Sequence, residues 1–317
     1  MWCRCLELRR DPRPSLQLNV PLPEGGWGAL LEVWLDRVSW STVPDLRSEL
    51  ACAQLRRAVV ETPESVIGAG GSAWGELLLA QRGDGGFGLR QRQRLFDDDV
   101  LAWAERQLDV PPLNVTLHLR RLGPSGGFDD YVEVPGGDVQ LGLGQVTPAW
   151  AILSAQFRVS PFGVPGEVGA RQEELWLDAV RLVADELPVG FGTVTRLFST
   201  QDTRLEAEAA HLGHGAFGLP RVVDHLGERL RGVGWLTVLG GELAARVGGA
   251  GALRDSGVFW SVEQRAGGSV LCVATPRYEQ YTSGVEEQLL AVFAPLLEWA
   301  DLPALHECPY QEWQPPT

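Results

Sequence analysis

The sequence predicts an α+β protein of antiparallel sheets flanked by helices, and three observations carry that expectation. Runs in which apolar and polar residues alternate, the period of a half-buried strand, recur with short glycine-rich turns between them, as at Trp74–Leu79 and Leu113–Leu119. One long segment, Arg171–Leu187, carries helical periodicity instead, with Leu175, Ala179, Leu182, Val183 and Leu187 on one face and Glu173, Asp178, Arg181 and Asp185 on the other. Finally, 38 glycines and 21 prolines in 317 residues supply more turns than a helical bundle uses.

In chain order, residues 1–20 offer two short strands split by Arg10-Asp11-Pro12-Arg13-Pro14. Leu31, Val33 and Leu35 alternate with Glu32, Trp34 and Asp36 as in a third. Pro44 and Asp45 start a helix that runs to about Val60. Trp74–Leu79 is a strand that returns through Phe87 and Leu89 after the hairpin signal Gly83-Asp84-Gly85-Gly86, and Val100–Ala104 is a short helix. Pro111-Pro112 is the candidate linker. Beyond it Val115, Leu117 and Leu119 share a strand face with Leu113, which sets His118 on the wetter face, and strands follow at 131–134, 139–143 and 151–159.

The segment Arg229–Gly249 is apolar on most sides and reads as a buried spine, with Gly248 and Gly249 closing its short helix in a left-handed cap. A hairpin, Val258–Glu263 with Val270–Thr275, and a helix from Ser283 complete the fold. Ser283 and Glu286 have the spacing of a capping box. The domain expectation is thus an N-terminal module over residues 1–110, a second α+β module over 111–302 and an irregular tail over 303–317. Two halves of strand-then-helix type suggest two similar sub-modules.

A hydrophobic share of 44% and a charged share of 21% are those of an ordinary globular protein. The formal charge of -14 opposes binding to nucleic acid or anionic membrane, and it suits a basic partner. All 27 basic residues are arginine, a bias that the codons of a GC-rich bacterial genome explain better than any demand of the fold. With no apolar run of signal-peptide or membrane-span length, the expected compartment is the cytoplasm. There the five scattered cysteines, Cys3, Cys5, Cys52, Cys272 and Cys308, are expected to be reduced.

Candidate chemistry is sparse. His211 and His214 have metal-ligand spacing, but Gly213 and Gly215 break the helix that spacing needs and no HExxH pattern supplies a general base. Asp97, Asp98 and Asp99 could hold a cation through hard oxygens, yet carboxylates ahead of a helix also answer its free amides and dipole. Neither a nucleophile elbow nor a phosphate loop is present. No catalytic residue, metal or cofactor is therefore expected. Twelve tryptophans are many for this length; Trp27, Trp34 and Trp40 are the candidates to anchor a partner, with Asp97, Asp98 and Asp99 supplying charge.

The stretch Gly232-Val233-Gly234-Trp235-Leu236-Thr237-Val238-Leu239-Gly240, followed by Leu243 and Val247-Gly248-Gly249, resembles the type VI immunity family of bacterial type VI secretion and polymorphic toxin loci. The likeness takes in Ala179–Phe198 and Ala274-Thr275-Pro276, spans about residues 113–300, and does not reach residues 1–110. It implies a non-enzymatic protein that binds and neutralises a cognate toxin by occlusion, with Gly232, Gly234, Trp235, Leu236, Thr237, Leu239, Gly240, Gly248 and Gly249 as framing. The competing expectations are a metal-dependent hydrolase using His211, His214 and one of Asp97 to Asp99, or an adaptor of a secretion or defence locus.

Overall fold

The computed structural model describes residues 14–23, 26–50, 73–83, 88–122, 135–157, 160–196 and 227–297. The tail, His211, His214, the strand expected at 131–134 and four of the five cysteines lie outside them. The chain forms two compact units, Asn19–Pro188 and Val189–Thr317 with Met1–Leu18, so the division falls far from Pro111-Pro112. Strand β1 (Pro14–Pro21) runs across that division. Its Leu16 and Leu18 are fully buried on one face, and so are Ser15 and Gln17, at 1% exposure, on the other.

In the Asn19–Pro188 unit, β2 (Ala73–Arg82), β3 (Leu89–Leu95), β4 (Pro112–Arg121), β5 (Asp138–Thr147) and β6 (Trp150–Phe157) lie in the order β3-β2-β4-β5-β6. All four pairings are antiparallel. The registers stack apolar rows across the sheet, Leu77–Leu117–Leu141–Ala155 and Leu79–Val115–Leu143–Leu153, every member fully buried. This alternation is what the sequence displays, and it fixes the register because a slip of one residue would send each row to the other face.

The double proline is not a linker, since Pro112 already pairs with Gln81 of β2. There the register shifts from Ala80↔Asn114 to Gln81↔Pro112 and leaves Leu113 without a partner. Leu113 consequently drops out of the apolar face expected for it and stands 40% exposed, the re-aiming a β-bulge produces.

The strand expected at Leu31–Asp36 is absent. Residues 26–42 are helical instead: α1 (Gly26–Leu30), a wide π-helical stretch Leu31–Val38, and α2 (Ser39–Thr42). The apolar residues fit a helical stripe better than an alternation, because Leu30, Leu31, Trp34, Leu35 and Val38 recur at three and four and are all buried. Ser39 donates its hydroxyl proton back toward the Leu35 and Asp36 carbonyls, at 2.7 and 2.8 Å, where the ladder changes pitch. Two short helices follow, α3 (Pro44–Glu49) and α4 (Val100–Glu105), of which α3 leads into residues not described here.

Helix α5 (Gly166–Glu186) packs beside this segment. Its buried face is Trp176, Leu177, Ala179, Val180, Val183 and Ala184. Glu173, expected on the wet face, is 2% exposed and accepts a hydrogen bond from the Gly163 amide at 3.2 Å. Trp176 meets Phe157 edge-on at 4.7 Å.

The second unit holds β7 (Phe191–Arg196), β8 (Leu236–Leu239), β9 (Ser261–Gln264) and β10 (Val270–Val273) in the order β7-β8-β10-β9, also antiparallel. Helices α6 (Gly241–Arg246), α7 (Gly249–Asp255) and α8 (Ser283–Phe293) accompany them. The spine is buried from Leu230 through Gly240. Thr237 accepts a hydrogen bond from the Gly234 amide at 3.2 Å, and the Trp235 ring nitrogen donates to the Thr275 carbonyl at 2.9 Å. A side chain at Gly234 would collide with the Val194 carbonyl of β7, so only glycine lets the two backbones come this close. Gly248 has φ of 85°, the left-handed cap that its position predicts.

The capping box is displaced. Thr282 is the cap residue of α8, its carbonyl accepting the Glu286 amide at 3.0 Å, and no side chain caps the turn. Pro295 ends that helix in a 3-10 turn, Ala294–Leu296.

Candidate partner-binding face

The residues singled out for partner contact all belong to the Asn19–Pro188 unit, where α4 packs against the π-helical stretch. Between these elements lies a shallow, open groove of about 360 Å³, lined by Ala29, Leu31, Leu101 and Ala102 together with Glu32, Asp36 and Glu105. Such a lining suits the side chain of a lysine or arginine, whose methylene stem packs on the apolar residues while its head meets Glu32 and Glu105, Asp36 being paired with Arg47.

Beside the groove, Arg47 of α3 forms an ion pair with Asp36 at 2.7 Å, its own side chain only 6% exposed. Its guanidinium lies over the rings of Trp40 at 4.7 Å and Phe96 at 4.2 Å. Burial disfavours the charged form of Arg47, and the carboxylates of Asp36 and Asp98 oppose that effect. Trp40 thus packs one side against Arg47 while 46% of it stays exposed. An amphipathic ring left half-open in this way is the kind of side chain that anchors interfaces.

The other candidates fare differently. Trp27 is half-buried, and Trp34 is fully buried within the helical stretch and offers no surface, a correction that follows from its place on the apolar stripe. Asp97 accepts hydrogen bonds from Arg94 at 3.0 Å and from the Asp99 amide at 3.1 Å, so it holds the turn before α4. Asp98 and Asp99 are exposed. Cys272 is buried in β10, and burial pushes its thiol up to about 12, which removes it as a nucleophile at neutral pH.

A second polar cluster, on the face of the β2–β4–β5 sheet opposite the apolar rows, escapes the sequence reading. His118 Nε2 lies 2.8 Å from Asp138 Oδ1, and Arg120 Nε donates to Asp138 Oδ2 at 3.1 Å. Trp74 meets His118 edge-on at 5.6 Å. Glu76 accepts a hydrogen bond from Gln93. Burial raises its carboxyl pKa, with Gln93, His118 and Arg120 pulling the other way. The alternation around His118 marks the face, but the pairing with Asp138 spans twenty residues and depends on the β4–β5 register. Among the described residues, no three His, Cys, Asp or Glu side chains converge as a metal site. Nor is any described helix long and apolar enough to cross a membrane.

Fold and groove together define an α+β protein, antiparallel sheet packed with helices, that offers an acid-lined surface groove. No protein-family model matches the chain. No curated protein matches it either. Among solved structures it is similar to a T6SS protein of Pseudomonas aeruginosa, with a TM-score of 0.44 and 14% identity over 90% of this chain and 73% of that one. Similarity at that level transfers neither activity nor partner.

Proposed function

We propose that this protein binds and neutralises a cognate bacterial toxin by occlusion, as an immunity protein of a type VI secretion or polymorphic toxin locus. The observation that carries the reading is the groove lined by Glu32, Asp36 and Glu105 beside the half-exposed Trp40. In a chain of net charge -14, such a groove favours a basic protein surface over nucleic acid or membrane. The choice of an immunity role starts from the resemblance of Gly232–Gly240 to the type VI immunity family, which no matching family model accompanies.

In this mechanism the acidic lining speeds encounter and selects a basic partner, while Trp40 and the apolar lining of the groove supply the buried contact that slows dissociation. An interface of standard size, about 1,600 Å² in total, suffices to cover a toxin's working surface.

The test is co-expression with the product of the neighbouring gene, scored for rescue of growth and for co-purification. Rescue together with a stable complex is the expected result. Trp40→Ala and the pair Glu32→Arg with Glu105→Arg should each weaken the complex at least about tenfold, roughly 1.4 kcal/mol, by calorimetry. Rescue without a complex, or a complex indifferent to all three substitutions, overturns this assignment of the face. Co-purification without rescue identifies an adaptor instead.

A further inference from the structure

The end strand of the Asn19–Pro188 sheet is unlike the rest of this acidic chain. β3 reads Leu89-Arg90-Gln91-Arg92-Gln93-Arg94-Leu95, and its only strand neighbour among the described residues is β2. Its first three residues and Gln93 are exposed, Leu89 at 62%. Arg94 is held by Asp97, whereas Arg90 and Arg92 form no ion pair among the described residues.

The ladder tells which backbone groups are free to pair. The Phe96 amide donates to the Gly75 carbonyl at 2.9 Å, and the Gly83 amide donates to the Gly88 carbonyl at 3.0 Å. Both bonds belong to the β2–β3 register, in which Leu95 faces Glu76 and Leu89 faces Arg82. Even-numbered residues of β3 therefore point their N–H and C=O groups at β2, and those of Leu89, Gln91, Gln93 and Leu95 point to the other side, where no described strand pairs with them.

From this edge we infer a docking site for an extended acidic segment of a partner protein, added as a further antiparallel strand beyond β3. The added strand would pair with the outward groups of Leu89, Gln91, Gln93 and Leu95. Arg90, Arg92 and Arg94 then occupy the non-hydrogen-bonded positions, where facing Cα atoms come within about 4.5 Å and side chains lie closest. Opposite charges at those positions attract and like charges repel. Asp or Glu at every second residue of the incoming strand therefore fits the row. A second copy of β3, laid antiparallel in the same way, would set arginine against arginine, so the row that recruits an acidic strand also bars self-pairing. This site does not depend on the occlusion reading, and its failure would leave the acidic groove untouched.

The test uses the full chain and a capped peptide, Thr-Glu-Val-Glu-Val-Glu-Thr, with its Glu-to-Lys counterpart as control. The acidic peptide should bind saturably and slow hydrogen exchange at the Leu89, Gln91 and Gln93 amides at least about tenfold, and the Lys peptide should do neither. Gln91→Pro removes one outward amide without touching the β2 ladder, and R90E with R92E reverses the row; each should lose at least about tenfold in peptide affinity. Should Gln91→Pro fail to fold, the charge reversal decides alone. Failure of the acidic peptide to bind, equal binding of the Lys peptide, affinity unchanged in the folded variants, or pairing of two copies through β3 overturns the site.

Discussion

The buried face around Trp235 and the sheet face around Asp138 are both interior surfaces, but they are made tight by opposite means. Around Trp235 the chain removes side chains: Gly234 lies against the Val194 carbonyl, and Gly240 donates its amide to the Gly190 carbonyl at 2.7 Å. Around Asp138 it adds charges, so that a carboxylate 4% exposed is met by Arg120 and His118 from the neighbouring strand. The first arrangement is held by backbone clearance and apolar burial, which tolerate no added atom. The second is held by mutual satisfaction of polar groups, which tolerates no missing one.

The comparison breaks most sharply at Gly234. Gly234→Ala should cost about 3 kcal/mol or more, because the obstacle to its Cβ is backbone and cannot swing away. Urea denaturation would read this as a lower midpoint at unchanged slope. A loss below about 1 kcal/mol would mean that β7 and the segment before β8 can part.

Asp138→Asn should cost less, about 2 kcal/mol, since one carbonyl oxygen remains to accept while the charge that strengthens both bonds is gone. Thermal melts of this variant, of His118→Ala and of the double variant would show whether the two losses add or share one network.

The smallest effect is expected at Glu76, and it sharpens the comparison by its pH dependence. Burial raises the folded pKa of this carboxyl above its ordinary 4.5. The native state therefore holds the proton more tightly than the unfolded chain does, and this contribution to stability falls as pH rises from about 4.5 through the raised folded value. Glu76→Gln abolishes the term while keeping an acceptor for Gln93. The stability difference between wild type and variant should move in favour of the wild type as pH falls toward about 4.5. A flat difference curve would show that water reaches Glu76 in solution.

What could be read in advance followed from how local each signal was. The alternation in β2, β4, β5 and β6 and the glycine-capped turn at Gly248 depend on near neighbours, and the observed elements agree with them. Leu31–Asp36 misled because a short apolar run fits two periods, and only the helical one lets Leu30, Trp34 and Val38 face inward together. At α8 the spacing of Ser283 and Glu286 is that of a capping box, but the helix starts with Thr282 as its cap. Among the candidate residues, Asp98, Asp99 and Trp40 are exposed, whereas Asp97 is held by Arg94 and Trp34 is core. Glu32, Asp36 and Glu105 were not legible in advance, because they meet only when α4 packs against the π-helical stretch.

By itself the sequence determined the α+β class, most of the strands and the dense apolar spine, all consequences of residue type and spacing along the chain. Only the tertiary structure decided where the two units divide, that Trp34 is core while Trp40 meets solvent, and that His118 meets Asp138. The physical reason is the same in each case: burial and charge pairing are set by residues far apart in sequence, and register and packing alone bring them within bonding distance.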